Sequence, residues 1–343
     1  MKRIITCSDG TWNKPNTREN GKVIKTNVQK LFDCIEKRDT RGVPQVKFYD
    51  PGIGSSGNIL VRMFNGATGK GIDENILDVY RFICWNYEPG DAIYLFGFSR
   101  GAYTARSLAG LIRKCGIIKT NDLDMIAEAY GLYRNRNIGP NDCNAVRFRR
   151  AHSYDVRSIK FIGVWDTVGS LGLPLHSFQW YNKRKYAFYD TTLSSIVEYA
   201  YHALAVDEKR KTFEPAWWER SGNDAGINQT LEQRWFPGVH SNVGGGYPDC
   251  ALSDIPLRWL FRKANDTGLH MNASCLEAPD ACDGTMYNSL NWLYRLLGSR
   301  DRAITVNNKD AFIDESVFKR MEMLGSAYRP KNVLRALEDL KVQ

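Results

Sequence analysis

The 343-residue chain is predicted to form a mostly parallel α/β sheet with helices on both faces. Short apolar runs such as residues 3–8 and 93–96 alternate with segments in which apolar residues have helical spacing. Residues 93–96 are apolar throughout, which is typical of a strand buried on both faces. Glycine-containing turns or polar residues follow several of these runs directly, at the sheet edge where parallel strands end.

Each element follows from its local pattern. The predicted strands are residues 3–8, 46–49, 93–96, 158–165 and 231–236. The predicted helices are residues 27–37, 74–86, 102–114, 122–150, 193–206 and 255–263, the last with Ser253 as its N-cap. We expect a single domain over residues 1–343, with insertions at 121–155 and 171–228 and a helical tail at 281–343.

The predicted insertion 171–228 has weak periodicity and many aromatic residues. One interpretation is that it caps or flanks a site. The alternative is that its tryptophans, Trp180, Trp217 and Trp218, belong to the core.

Composition restricts the classes of partner. A hydrophobic fraction of 43% is ample for a large core, and the net charge of +9 favours anionic partners such as phospholipid head groups. The basic residues are dispersed, with short clusters at 147–150 and 183–185, and no nucleic-acid-binding module accompanies them. We therefore expect no nucleic acid, whereas peripheral contact with an anionic membrane surface remains open.

The cysteines and the N-terminal sequence indicate where the chain is made. Its eight cysteines form no C-x-x-C pair and several lie in apolar patterns, as expected in a reducing compartment. Asp9 comes too early to leave room for the apolar part of a signal peptide, and no run approaches the ~20 apolar residues of a membrane span. These features predict a soluble chain made in the cytoplasm, with export by a route that needs no signal peptide still open.

The stretch from residue 92 to 106 carries the strongest motif. Gly97-Phe98-Ser99-Arg100-Gly101 matches the G-x-S-x-G nucleophile elbow, between a predicted strand and a predicted helix. The turn at the serine is strained, so its flanking glycines avoid collisions with the strand and the helix. Ser99 is therefore the candidate nucleophile of an α/β-hydrolase-like fold.

A serine hydroxyl needs a neighbouring base, and histidine is suited to that role. Of the five histidines, His240 lies in a Gly-rich loop after a predicted strand and comes after Ser99 in the expected chain order. His202 lies in an apolar pattern read as helical, which is more typical of a buried structural group. His240 is the preferred base, and His202 is the alternative.

The base in turn needs a carboxylate. Asp166 directly follows an apolar strand and fits the order Ser, Asp, His, so it is preferred over Asp207, Asp249 and Asp254. The position departs from the usual arrangement, since Asp166 follows the first strand after the nucleophile and the usual acid comes one strand later.

Acyl transfer also requires hydrogen-bond donors for the oxyanion. The backbone N–H of Arg100 is one expected donor, and Gly10 or Thr11, after the first strand, is expected to supply the second. A side-chain turn that closes the first strand is an equal alternative for Asp9 and Gly10. No metal motif is present, and no metal or other cofactor is expected.

Several segments together resemble a known family. They are residues 8–13, 97–106, 164–168, 202–210 and 238–247. In this order they resemble the α/β-hydrolase family of the first class of type VI secretion lipase effectors, formerly a domain of unknown function, over about residues 1–270. The resemblance implies a Ser-Asp-His hydrolase, with the triad on Ser99, Asp166 and His240, and cleavage of phospholipid acyl chains by some members.

The sequence thus predicts a serine esterase or lipase, with phospholipid acyl esters as the leading substrate. A soluble small-ester esterase is the first alternative. The second is a non-catalytic module that senses a ligand on the same fold. No motif identifies an immunity or secretion partner.

Overall fold

The computed structural model describes residues 1–10, 17–19, 22–52, 70–119, 122–154, 156, 158–168, 192–220, 228–276, 281–290, 292–296, 298–306 and 309–342. Its strands are β1 (Arg3–Ser8), β2 (Thr17–Glu19), β3 (Lys22–Ile24), β4 (Gln45–Asp50), β5 (Ala92–Phe98), β6 (Ile117–Ile118), β7 (Ser153–Tyr154), β8 (Ile159–Trp165), β9 (Val197–Ala205), β10 (Thr230–Phe236) and β11 (Ala311–Ile313). Its helices are α1 (Asn27–Cys34), α2 (Lys70–Asn86), α3 (Arg100–Cys115), α4 (Leu123–Arg134), α5 (Cys143–His152), α6 (His240–Gly244), α7 (Ala251–Asp266), α8 (Trp292–Leu296), α9 (Glu315–Leu324) and α10 (Lys331–Val342).

Seven strands of the described chain form one sheet in the order β11-β10-β9-β8-β5-β1-β4. Every pairing in this sheet is parallel. Helices α2 to α5 pack with one face of the sheet and α1 and α7 with the other. The predicted α/β fold class is confirmed.

The core explains why the central strands carry apolar residues on both faces. In β5, Ile93 and Leu95 face the cluster that contains α2 and α3, whereas Tyr94 and Phe96 face the cluster that contains α1 and α7. Alternate side chains of one strand therefore enter two different cores, as expected when a parallel sheet is covered on both faces. Helices α9 and α10 build a third cluster against the far end of the sheet.

The predicted helix over 193–206 is wrong. Val197–Ala205 is a strand that lies between β8 and β10, so it belongs to the sheet itself. Apart from Glu198 and His202 its sequence is apolar or aromatic on both faces, and a run of that kind does not separate helix from strand by periodicity. The interpretation of 171–228 as an insertion is wrong for this stretch, while Trp180 lies outside the described residues.

Other boundaries differ less. The predicted helix 122–150 is divided into α4 and α5, and the helix assigned Ser253 as N-cap begins earlier, with Cys250 as its N-cap. The predicted helical tail contains α8, α9 and α10, but it also contributes β11, which pairs with β10. Among the described residues, no helix combines the length and apolar character required to cross a bilayer.

The register brings the carboxyl ends of the strands to one edge. Ser8 of β1 lies opposite Gly97 of β5, and Phe98 lies opposite Trp165 of β8. The residues that follow these strands, among them Ser99 and Asp166, therefore meet at that edge.

Candidate active site

Ser99 lies at a sharp turn between β5 and α3. Its φ and ψ angles are 57° and −116°, a conformation that a non-glycine residue rarely adopts. The Ser99 N–H donates to the carbonyl oxygen of Trp165 at 3.0 Å, which ties the turn to the neighbouring strand. This is the geometry of a nucleophile elbow.

The two glycines of the motif allow the backbone to pack this closely. A Cβ atom at Gly97 would overlap the carbonyl oxygen of Gly101, and one at Gly101 would overlap the carbonyl oxygen of Ser8. The start of α3 therefore rests directly on the end of β1. Any side chain at either position would force the strand and the helix apart.

His240 is the first residue of α6, after β10. Its Nε2 atom lies 2.9 Å from the Oγ atom of Ser99, and its Nδ1 atom lies 2.6 Å from Oδ2 of Asp166. The imidazole ring contacts the rings of Phe98 and Phe213, whose centroids lie 4.7 Å and 5.0 Å away. The structure therefore brings together the three residues predicted as nucleophile, base and acid.

Asp166 is held from several sides. Its side chain is fully buried, and its Oδ1 atom accepts the N–H of Ala205 at 3.0 Å. The guanidinium of Arg302 donates to both carboxylate oxygens, to Oδ1 at 2.6 Å and to Oδ2 at 3.0 Å. Burial disfavours the ionised form, but Arg302 and the hydrogen bond from His240 hold the pKa of Asp166 well below its usual range.

The electrostatics of His240 favour a base. Burial lowers the pKa of the imidazole, and the hydrogen bond with Asp166 opposes this effect without reversing it. A lowered pKa keeps the ring neutral near pH 7, with its Nε2 atom able to accept a proton.

The alternative base, His202, is engaged elsewhere. It is fully buried on β9, where its Nε2 atom accepts the N–H of Thr167 at 3.1 Å and its Nδ1 atom lies 3.4 Å from Oε1 of Gln233. Burial lowers the pKa of His202 to about 3. These contacts are those of a neutral structural histidine.

The three alternative acids also have other contacts. Asp207 accepts the hydroxyl of Tyr328, and Asp254 pairs with Lys30. Asp249 accepts the backbone N–H groups of Ala251, at the start of α7, and Thr285. None of these contacts involves the imidazole of His240.

The predicted oxyanion donors are only partly described. Arg100 is the first residue of α3, and amides in the first turn of a helix have no acceptor within that helix. The Gly10 N–H donates to Oδ1 of Asp9 at 2.6 Å, one residue along the chain, whereas an Asx turn would use the N–H two residues on. Thr11 lies outside the described residues. The assignment of these donors stays a prediction.

Sequence reasoning missed Arg302 and Glu208. Arg302 comes from a tail with no motif, and no local signal could have linked it to Asp166. Glu208 belongs to a charged run that could have lain on the surface, yet its carboxylate is fully buried, pairs with Arg210 and accepts the N–H of His240 at 3.2 Å. The available signal for Glu208 was its place shortly after β9, in a run that also contains Arg210 as a possible ion-pair partner.

Comparisons with known proteins agree with the motifs. The family model described as T6SS, Phospholipase effector Tle1-like, catalytic domain matches residues 2–263. The uncharacterized protein YEL023C of Saccharomyces cerevisiae is 34% identical in an alignment of 234 residues that covers 62% of this chain and 32% of the yeast protein.

Two solved structures were also found, both 19% identical in sequence. An uncharacterized protein from Pseudomonas aeruginosa aligns over 81% of this chain and 48% of its own, with a TM-score of 0.46. The Tle1 effector bound to the VgrG spike of the type 6 secretion system aligns over 73% and 52%, with a TM-score of 0.41. This chain thus spans about a third of the yeast relative and about half of each solved chain.

The matched range includes the elbow, Asp166 and His240, and it agrees with the resemblance inferred from the motifs. Because the family model spans residues 2–263 of the 343, the chain belongs to the family of Tle1-like catalytic domains of type VI secretion phospholipase effectors.

Proposed function

We propose that this chain is a serine hydrolase that cleaves carboxylic esters, with phospholipid acyl esters as its substrate. The observation that carries the proposal is the hydrogen-bonded series from Ser99 through His240 to Asp166, with separations of 2.9 Å and 2.6 Å. A hydroxyl, an imidazole and a carboxylate in this order constitute the usual apparatus of acyl transfer.

In the proposed reaction, His240 Nε2 takes the proton of Ser99 as Oγ forms a bond to the ester carbonyl carbon. The carbonyl electrons move to oxygen, and backbone N–H groups, including that of Arg100, stabilise the oxyanion. Collapse of this intermediate breaks the ester bond, and the leaving alkoxide receives the proton from His240. Water then attacks the acyl-enzyme by the same route and regenerates Ser99.

Asp166 holds the imidazole in the tautomer that leaves Nε2 unprotonated. Its charge also stabilises the imidazolium that forms in each step. The rings of Phe98 and Phe213 pack around His240 and limit the access of water to the base.

Two observations support phospholipid as the substrate. The matched family is that of a phospholipase effector, and the net charge of +9 suits peripheral contact with an anionic bilayer. Membership in a family of secretion effectors also supports export by a specialised secretion system.

A fluorophosphonate probe, which reacts with activated serines, tests the reaction class. We expect labelling of the wild-type chain and none of Ser99→Ala, whose circular dichroism should be unchanged. Absence of labelling in folded wild-type protein would contradict the hydrolase and favour a ligand-sensing module.

Substrate class requires a second measurement. Anionic phospholipid vesicles incubated with wild type, and not with Ser99→Ala, should accumulate lysophospholipid and free fatty acid. Hydrolysis of a short-chain soluble ester without any release from vesicles would instead indicate a small-ester esterase.

A further inference from the structure

Arg302 donates four hydrogen bonds at and beside the carboxylate of Asp166. Its side chain is 2% exposed, and its two terminal nitrogens donate to the two carboxylate oxygens. The same nitrogens also donate to the carbonyl oxygens of Ala205 at 2.9 Å and Phe213 at 2.5 Å. The guanidinium is thus fixed by acceptors on three separate segments of the chain.

These contacts determine how the carboxylate is oriented. A bidentate guanidinium defines both the plane and the direction of a carboxylate, which a single hydrogen bond does not do. The Ala205 N–H adds a further contact to Oδ1, so Oδ2 remains directed at the imidazole of His240. The orientation of Asp166 therefore does not depend on His240.

We propose that Arg302 is a positioning residue for the triad: it fixes Asp166 against His240 and offsets part of its negative charge. This inference rests on the proposed function, because it assigns a role within the same reaction. Arg302 acts through Asp166 and touches neither the nucleophile nor the base in the contacts described.

The positive charge of Arg302 also affects the pKa of His240. An unshared carboxylate stabilises the imidazolium and raises the pKa of its histidine partner. A guanidinium on the same carboxylate weakens that effect, and His240 then stays neutral to lower pH. Arg302 thus favours the base form of His240 in the free protein, while Asp166 remains ionised to support the imidazolium during the reaction.

Arg302 lies beyond residue 263, the end of the family match. Its own backbone is held by α10, since the amide of Asn332 donates to the carbonyl oxygens of Arg302 at 3.2 Å and Val206 at 2.9 Å. Arg302 and its backbone anchor therefore couple the tail to the site.

The test measures the rate of fluorophosphonate labelling from pH 5 to 9 in wild type, Arg302→Met and Arg302→Lys. The rate should rise with pH as His240 loses its proton. In Arg302→Met we expect a 10–100-fold lower maximal rate, because Asp166 loses its orientation, and a midpoint about one pH unit higher. Arg302→Lys keeps the positive charge but not the bidentate contact with the carboxylate. The midpoint of its pH profile should therefore stay near that of wild type while its maximal rate falls.

Arg320→Met is the matched control. Arg320 is a second buried arginine of the tail, 5% exposed, and it donates to the carbonyl oxygens of Cys282 and Gly284. Its removal tests for general loss of packing and should leave the midpoint unchanged. If Arg302→Met does not fold, Asn332→Ala, which loosens the Arg302 backbone, should show the lower maximal rate.

A wild-type midpoint and rate in folded Arg302→Met would overturn the proposal. So would equal losses in Arg302→Met and Arg320→Met without a shift of midpoint, because that result indicates a structural role alone. Unlabelled wild-type protein would contradict the proposed hydrolase itself, so the two failures are distinguishable.

Discussion

Ser99 and Asp166 share a strained backbone. Among the described residues, they are the two non-glycine residues with positive φ, at 57° and 38°. Such conformations cost of order 1–3 kcal/mol each and persist only where surrounding contacts impose them. Here the strain lies on two residues of the candidate triad, at the ends of adjacent strands. The strained backbone therefore lowers the stability of the fold, and it directs the side chains of Ser99 and Asp166 towards His240.

The charge of Asp166 should be essential even where its shape is kept. Asp166→Asn removes the negative charge and disturbs the imidazole tautomer, so fluorophosphonate labelling should fall by about 10⁴-fold. Asp249→Asn changes a carboxylate at the start of α7 and should stay within about twofold of wild type. Similar losses in both variants would mean that Asp166 is not the acid.

Asp50 should make stability depend on pH. Burial raises the pKa of this carboxyl from 3.8 to about 6, with smaller contributions from Asp78 and Asp9. Between these pH values the folded chain binds the proton more tightly than the unfolded chain, so the free energy of unfolding should fall as pH rises, by about 3 kcal/mol at most.

Asp50→Asn should remove this contribution. Urea unfolding at pH 4 and at pH 7 gives the difference in the free energy of unfolding between the two pH values, for wild type and for the variant. Asp33→Asn, at an exposed carboxylate on α1, serves as the control. An unchanged difference in Asp50→Asn would show that Asp50 is not the group that titrates.

At the scale of elements, the contact between α3 and β1 is the tightest constraint on the elbow. Gly101→Ala places a methyl group on the carbonyl oxygen of Ser8, so α3 must move and carry Ser99 with it. We expect loss of labelling and a lower melting temperature. The methyl group would meet backbone atoms of β1, which cannot move aside as a flexible side chain can.

Gly110→Ala is the matched substitution in the same helix. The three atoms nearest its new methyl group belong to the Tyr133 side chain, the first at 3.2 Å, and alanine is favoured over glycine in a helix by about 1 kcal/mol. The melting temperature of this variant should be close to wild type and its labelling retained. Equal damage from the two substitutions would argue against the backbone contact.

The strands that could be predicted are those that a local pattern of residues and the residues flanking it define. β1, β5 and β8 are short, mostly apolar runs followed by polar residues, whereas β10 alternates buried and less buried residues, and each was predicted within a few residues. β9 was not, because its apolar character on both faces reflects burial between β8 and β10, which only the assembled sheet supplies. β11 is three residues long and leaves no pattern to detect.

At the scale of the whole molecule, the thiols report how the chain is packed. Cys143 and Cys275 are exposed, Cys250 is half-buried and the others are buried. Burial raises the pKa of the Cys84 thiol to about 12, which suppresses its reactive thiolate. Ellman's reagent should therefore titrate two of the eight thiols rapidly in the folded protein, and all eight in guanidinium chloride.

Cys143→Ser and Cys275→Ser should each remove one of the two rapidly reacting thiols. Four or more rapid equivalents in wild-type protein would contradict the packing of the two faces of the sheet. The measurement needs no substrate and reports on the fold alone.

The candidate site could be predicted in part from sequence. Ser99, Asp166 and His240 each follow a strand, and the rule that parallel strands end at one edge is enough to group them. Arg302 follows no strand of the sheet and has no partner nearby in sequence. Its contact with Asp166 spans 136 residues and depends on how α10 packs, which no local pattern encodes.

The distance along the chain between Asp166 and Arg302 also affects when the site is completed during synthesis. Arg302 and Asn332 lie 62 and 92 residues after His240, so at about 5–20 residues per second they emerge from the ribosome roughly 3–20 s later. A nascent chain that has just exposed His240 holds the candidate nucleophile and the candidate base, but the candidate acid still lacks its contact with the Arg302 guanidinium. Full reactivity would therefore arise late in translation, after the hydrophobic faces of the sheet have been covered.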